Sequence, residues 1–179
     1  MTSMGGIIVY KVTERLRGGE LFTFYWINHV LRSSFGDWLM PRITHAGGVT
    51  ASVLCSLFLL LSKTPFWHQT GVHLASSLLI SHLLANILKR FVRRRRPYQA
   101  LEGVLTGIKP LKDASFPSGH STAIFCMATV LALAVPSLLI FFYGFASVVA
   151  FSRVYLGMHY PSDIMIGASL GTITALLMG

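Results

Sequence analysis

Acidic side chains are scarce in this chain: six Asp and Glu stand among 179 residues, against 15 Lys and Arg. No cluster of carboxylates is available to hold a divalent metal, so no metal and no other cofactor is expected. Charge of either sign is thin as well. Asp, Glu, Lys and Arg make up 12% of the chain, about half the share of an ordinary soluble domain. There are two cysteines, Cys55 and Cys126, both inside apolar runs. That excludes a disulfide framework and favours buried, inert thiols. His29, His45, His68 and His73 show no metal-ligand spacing. The chain lacks an internal repeat, a low-complexity segment and an acidic tail. Its N-terminus has no long apolar stretch followed by a small-residue cleavage site, so no cleaved signal peptide is expected.

What the chain has is apolar bulk. It is 53% hydrophobic, with a mean hydropathy of +0.63. Residues 1–179 read as one integral membrane domain with no room for a second core. The net charge of +9 would suggest nucleic acid in a soluble protein. Here the basic residues adjoin apolar spans, which favours lipid headgroups or phosphate and argues against nucleic acid.

A spanning helix needs about 20 mostly apolar residues. Five segments approach this: residues 45–62, 70–88, 118–135, 137–151 and 161–178. The expected fold class is therefore all-α, a polytopic bundle of about five membrane helices over residues 45–179. Pro65, Pro136 and Pro161 fall at segment boundaries, where helices break or begin. Residues 21–41 mix Asn28, His29, Arg32 and Asp37 with many aromatics, which suits an interfacial helix better than a span. Residues 1–20 are expected to be loosely ordered. The Gly167-x3-Gly171 pair offers a small-residue packing face, toward a neighbour in this chain or in a second copy.

Three polar blocks interrupt the apolar sequence. The first runs from Lys89 through Arg96-Pro97. On one helix, Lys89, Arg93 and Arg96 would share a side, with His82 and Asn86 extending the stripe into the membrane. Arg90, Arg94 and Arg95 read as solvated or lipid-facing. A basic membrane anchor is the plainer alternative for the whole run. The second block is Pro117-Ser118-Gly119-His120, where Ser118 can cap a helix whose first-turn amides point at an anion. The third is Ser152-Arg153, His159 and Asp163. Asp163 could reach one nitrogen of His159 and fix its tautomer, leaving the other free as a nucleophile. A simple helix cap beside an interfacial histidine is the alternative. Alternating spans bring all three blocks to one membrane face.

Lys89-x6-Arg96-Pro97, Pro117-Ser118-Gly119-His120 and Ser152-Arg153-x5-His159-x3-Asp163, in this order, resemble the tripartite signature of the type 2 phosphatidic acid phosphatase superfamily. The resemblance covers Leu79 to about Gly171, and every signature position is filled. It implies His159 as a nucleophile forming a phosphohistidine, Asp163 as its orienting group, and His120 as the acid and then base. It also implies Lys89, Arg96, Ser118, Gly119 and Arg153 as ligands of the phosphoryl oxygens, with no metal. Among relatives, the short chain and aromatic N-terminal helix resemble bacterial undecaprenyl-diphosphate phosphatases. The expected substrate is thus a lipid phosphate or diphosphate, undecaprenyl diphosphate first, with phosphatidylglycerophosphate or phosphatidate as the alternative. Soluble haloperoxidases of the same superfamily are excluded by hydrophobicity. A non-catalytic lipid-binding or transport protein on this fold is the rival from another class. Arg93, outside the signature, is a candidate for a second phosphate or the headgroup.

The same resemblance implies a bacterial plasma membrane with the active face outward. The charge count opposes that orientation. The connection between the first two blocks carries seven basic residues, Arg90, Arg93, Arg94, Arg95, Arg96, Lys109 and Lys112, against Lys63 alone on the far face, and basic loops favour the cytoplasm.

Overall fold

The computed structural model describes residues 18–179. Residues 1–17 of the segment expected to be loosely ordered lie outside the described residues; residues 18–20 are helical.

All regular structure among the described residues is helical. Residues 18–25 form a helix that widens into a π turn at Trp26–Val30. The chain breaks at residues 31–33 and restarts as α1, Ser34–Ile43. Ser33 caps this helix, its Oγ accepting from Gly36 N at 3.1 Å. The expected helix over 21–41 is therefore two helices. A 3₁₀ turn, Thr44–Gly47, leads into α2, Val49–Leu60. Next come α3, Pro65–Val92, α4, Pro97–Ala100, and α5, Gly119–Ala134. The 3₁₀ turn Pro136–Leu138 precedes α6, Leu139–Tyr155, and α7, Pro161–Met178. Proline opens α3, α4 and α7, where its missing N–H costs no hydrogen bond.

The membrane helices are unequal. Pro65–Ala100, Pro136–Tyr155 and Pro161–Met178 are long and apolar enough to cross a bilayer. Ser34–Gly47 and Val49–Leu60 qualify only as a pair bent by 51° at Gly48. The 12-residue α2 is only about 18 Å long by itself. The apolar segment 45–62 is thus a kinked element rather than one straight span. α5 has 16 residues and sits in the middle of the bundle.

α5 packs chiefly on α7, then on α6 and α3. A side chain on Gly171 would stand 2.1 Å from the Thr122 carbonyl, and one on Gly167 2.6 Å from the Ser118 carbonyl. The small-residue face of α7 is thus filled by α5 of the same chain. The core joins Leu74 and Leu78 of α3, Ile124, Met127 and Val130 of α5, Val149 of α6 and Ala175 of α7. Phe58, Leu79, Ile140 and Leu177 are strongly exposed, as lipid-facing side chains of a membrane bundle are.

A second apolar cluster, with Phe24, Ile27, Val154, Tyr155, Leu156 and Met158, lies beneath the N-terminal helix. Buried Asn28 ties three elements there. Its Nδ2 donates to Leu105 O at 2.9 Å and Tyr155 O at 2.8 Å, and its Oδ1 accepts from Leu105 N at 3.0 Å. The loop that follows α4 is thereby pinned over the end of α6.

Candidate active site

Each polar block ends up at a helix terminus on this one face. His159 occupies the turn between α6 and α7 and is buried. Its Nε2 accepts from Arg96 Nη1 at 3.0 Å. A guanidinium has no lone pair to offer, so Nε2 carries the lone pair and the ring proton is on Nδ1. Nδ1 lies 3.6 Å from Asp163 Oδ2, too far for a hydrogen bond. Ser115 Oγ fills the gap, 3.4 Å from Nδ1 and 2.5 Å from Asp163 Oδ2. The grip expected of Asp163 on the imidazole therefore runs through a hydroxyl. Burial, with Arg96 and Arg153 nearby, pushes the His159 imidazole down to about 3 against the pull of Asp163. The ring is neutral at physiological pH.

Asp163 is held from every side. Oδ2 accepts from Tyr160 N at 2.9 Å, and Oδ1 accepts from Arg94 Nη1 at 2.8 Å. Arg94 also donates to Glu20 at 2.6 Å and to Ser162 at 2.7 Å, and lies 3.8 Å over the Tyr160 ring. This corrects the reading of Arg94 as solvated or lipid-facing. The backbone explains the reorientation. α3 stops at Val92 and Arg93 adopts a left-handed φ of 46°, which swings the next residues off the helix axis. The shared helix side expected for Lys89, Arg93 and Arg96 does not form. Arg93 is exposed, its Nε donating to Arg90 O at 3.0 Å. Asn86, expected to face the bundle, is exposed too.

Arg96 precedes Pro97, which holds it extended at φ −72°, ψ 155°, as the ring of a following proline requires. From there it turns inward and is buried. Asp113, on the loop before α5, binds Arg96 Nη2 at 2.7 Å and pairs with Lys89 Nζ through its other oxygen. Burial would raise its carboxyl, but the hydrogen bond from Lys89 and the charge of Arg96 bring it down to about 2.

Arg153, at the end of α6, is buried. Nη1 donates to Thr44 Oγ1 at 2.8 Å, while Nε and Nη2 have no partner among the described residues. Thr44 belongs to the kinked element, which also brings Gly48 beside His120: a Cβ there would sit 3.7 Å from His120 Nε2. His120 lies within electrostatic reach of Arg153, His159 and Arg96. Ser118 caps α5, accepting from Ser121 N at 3.4 Å, and its own N–H donates to Asp163 O at 3.0 Å. Nothing lies within 4 Å of where a Gly119 side chain would be. Cations, two imidazoles and the start of α5 are thus gathered in one place, and the Gly119 position beside them is open.

The PAP2 superfamily profile matches residues 70–178, more than half the chain and all three blocks. The chain belongs to the PAP2 superfamily.

This PAP2 domain is 31% identical over 166 residues to phosphatidylglycerophosphatase B of Bacillus subtilis, covering 83% of this chain and 76% of that protein. It is 35% identical over 111 residues to the lipid A 1-phosphatase of Rhizobium etli, 60% of this chain and 48% of that protein. The chain thus spans about half the length of that relative. The crystal structure of Aquifex aeolicus LpxE superposes with a TM-score of 0.80 at 26% identity, covering 88% of this chain and 93% of that one.

All eight signature residues of this PAP2 domain named above meet at one site. Four further residues escaped the sequence reading: Glu20, Arg94, Asp113 and Ser115. For three of them a signal existed. With six acidic residues in the chain, Asp113 between two basic blocks and Glu20 near an aromatic segment were conspicuous, and Arg94 had to face something. Ser115 carried none.

Proposed function

We propose that the protein is a lipid phosphatase that removes a terminal phosphate through a phosphohistidine on His159, without a metal. The observation that carries this is Arg153. A buried guanidinium with two unpartnered nitrogens, Nε and Nη2, costs several kcal/mol of desolvation, about 1–3 or more per group, unless an anion engages it. The amides at the start of α5 and the space beside Gly119 supply the rest of a phosphoryl seat. Among the described residues, no three His, Cys, Asp or Glu side chains are placed to hold a metal ion.

The chemistry follows from these groups. His159 Nε2 attacks phosphorus, a P–N bond forms, and the P–O bond to the lipid breaks. The phosphate dianion favours a protonated His120, which gives its proton to the leaving oxygen. His120 then takes a proton from water, water oxygen bonds to phosphorus, and the P–N bond breaks to release inorganic phosphate. Arg153 stabilises the equatorial oxygens during in-line transfer. The Ser115–Asp163 pair holds the Nδ1 proton and the positive charge that the ring acquires.

Undecaprenyl diphosphate is our first candidate substrate, for the aromatic N-terminal helix. Phosphatidylglycerophosphate is the second, favoured by the alignment that covers most of the chain. The proposal that Arg93 meets a second phosphate rests on charge alone. We place the protein in a bacterial plasma membrane with the active face outward. Arg94 and Arg96, two of the seven loop cations, are engaged inside the protein and are poor topology markers. Labelling of Lys109→Cys by an impermeant maleimide in intact cells supports this orientation; labelling only after permeabilisation overturns it. The function itself is tested by phosphate release from a panel of purified lipids. Release from none of undecaprenyl diphosphate, phosphatidylglycerophosphate, phosphatidate or a lipid A 1-phosphate would return the chain to a non-catalytic lipid-binding role.

A further inference from the structure

Two of the three site cations are engaged by the protein itself, Arg96 through every donor and Lys89 through two of its three. Arg96 has five N–H donors, and all have acceptors. Nε donates to Asp113 O at 2.9 Å, and Nη1 to Met158 O at 2.9 Å and His159 Nε2 at 3.0 Å. Nη2 donates to Asp113 Oδ1 at 2.7 Å and Ala114 O at 3.4 Å. Lys89 Nζ pairs with Asp113 Oδ2 and donates to Ala114 O at 3.2 Å. One carboxylate therefore sits across both cations, each oxygen on one of them. The carboxylate side chain is 53% exposed, whereas Lys89 and Arg96 are 15% and 1% exposed. Asp113 covers the pair from the solvent side, on the loop between α4 and α5.

We infer that Asp113 is a specificity residue, which occupies Lys89 and Arg96 in the substrate-free protein and yields them only to a phosphate group bearing two negative charges. This rests on the reading of the site as a phosphate seat. The exchange is ion for ion. A phosphodiester headgroup brings one charge and two free oxygens, no more than the carboxylate it would displace. A terminal phosphate brings close to two charges at neutral pH and three oxygens, so it gains Coulomb energy and one further acceptor. The distinction matters in a bilayer, where anionic diesters surround the site in large excess. Two uncovered cations at the headgroup level would be occupied by them.

The test uses the purified full chain in neutral detergent micelles, with a lipid phosphomonoester as substrate and phosphatidylglycerol added at increasing mole fraction. Wild type should hydrolyse the monoester with little inhibition by phosphatidylglycerol. Asp113→Asn should be inhibited at a mole fraction about tenfold lower, the effect of one ionic hydrogen bond. Asp113→Glu, which keeps the charge, should behave as wild type. So should Glu102→Gln, which removes a charge from the same loop away from Lys89 and Arg96. If Asp113→Asn does not purify folded, Asp113→Ser takes its place with the same expectation. Equal sensitivity of wild type and the neutral Asp113 variants overturns the inference. So does Glu102→Gln matching them, because the effect would then be general charge. Wild type that hydrolyses no lipid phosphate overturns the function as well, a distinguishable failure.

Discussion

Arg96 donates to the lone pair of His159 Nε2 at 3.0 Å, so the cation beside the proposed nucleophile also masks it. The same guanidinium fixes the tautomer, because it can only donate. Substrate must draw Arg96 onto a phosphoryl oxygen before Nε2 can attack. Arg96→Lys keeps the charge but loses the fork that reaches His159 and Asp113 together. We expect kcat/KM to fall about a hundredfold, the loss of one or two ionic hydrogen bonds. Steady-state kinetics on the purified variant within threefold of wild type would remove Arg96 from the chemistry.

Arg94 holds Asp163 Oδ1 at 2.8 Å, so we expect it to position that carboxylate rather than to touch substrate. Arg94→Ala should lower kcat about tenfold with KM little changed, and Arg94→Lys should recover part of it. Glu20→Gln should show a smaller loss in the same direction, since it holds Arg94 from the other side. A change confined to KM would place Arg94 in headgroup binding instead.

The pH dependence of stability has a definite sign. His159 titrates near 6.5 when unfolded and near 3 when folded. Between those values the unfolded chain binds a proton that the folded chain does not, so stability falls as pH drops from about 6.5 toward about 3. Asp113 adds a second loss below about 4, as pH approaches its folded value of about 2. In detergent, the thermal midpoint of wild type should decline between pH 6.5 and pH 4. His159→Gln should flatten that decline. Parallel curves would show that His159 is not the group responsible.

Two glycines separate packing from function. Gly171→Ala would place a methyl 2.1 Å from the Thr122 carbonyl, and overpacking of this kind costs about 1–3 kcal/mol or more. Its thermal midpoint should drop. Gly119→Ala meets nothing within 4 Å, so it should fold as wild type yet lose activity, because the methyl enters the proposed phosphoryl seat. Full activity in Gly119→Ala would move the phosphate elsewhere.

The parts of this site that were legible in the sequence are those whose chemistry is local. Pro117-Ser118-Gly119-His120 announces a capped helix start, and Pro161 fixes where α7 begins, so His159 and Asp163 fall into place. The all-helical membrane fold follows from hydropathy in the same way. What was not legible depends on through-space partners. The run from Lys89 to Arg96 is mostly Lys and Arg, good helix formers, and nothing local marks the left-handed turn at Arg93 that sends Arg94 to Asp163 and Arg96 to His159. Ser115 is an ordinary loop serine until the 3.6 Å gap between His159 and Asp163 gives it a task. The kink falls at the Gly47-Gly48 pair, a local break signal that the apolar run of residues 45–62 masked, and α5 comes close there: a Cβ on Gly47 would stand 2.9 Å from the His120 carbonyl.

The central claim is a covalent phosphate on His159, and it can be trapped. Purified protein mixed with a radiolabelled lipid phosphate should be quenched in alkali within one turnover, digested and analysed by mass spectrometry. The account predicts an acid-labile, alkali-stable phosphate on His159, more of it in His120→Ala, and none in His159→Ala. Label on any other residue, or turnover in wild type with no covalent label at all, would contradict it.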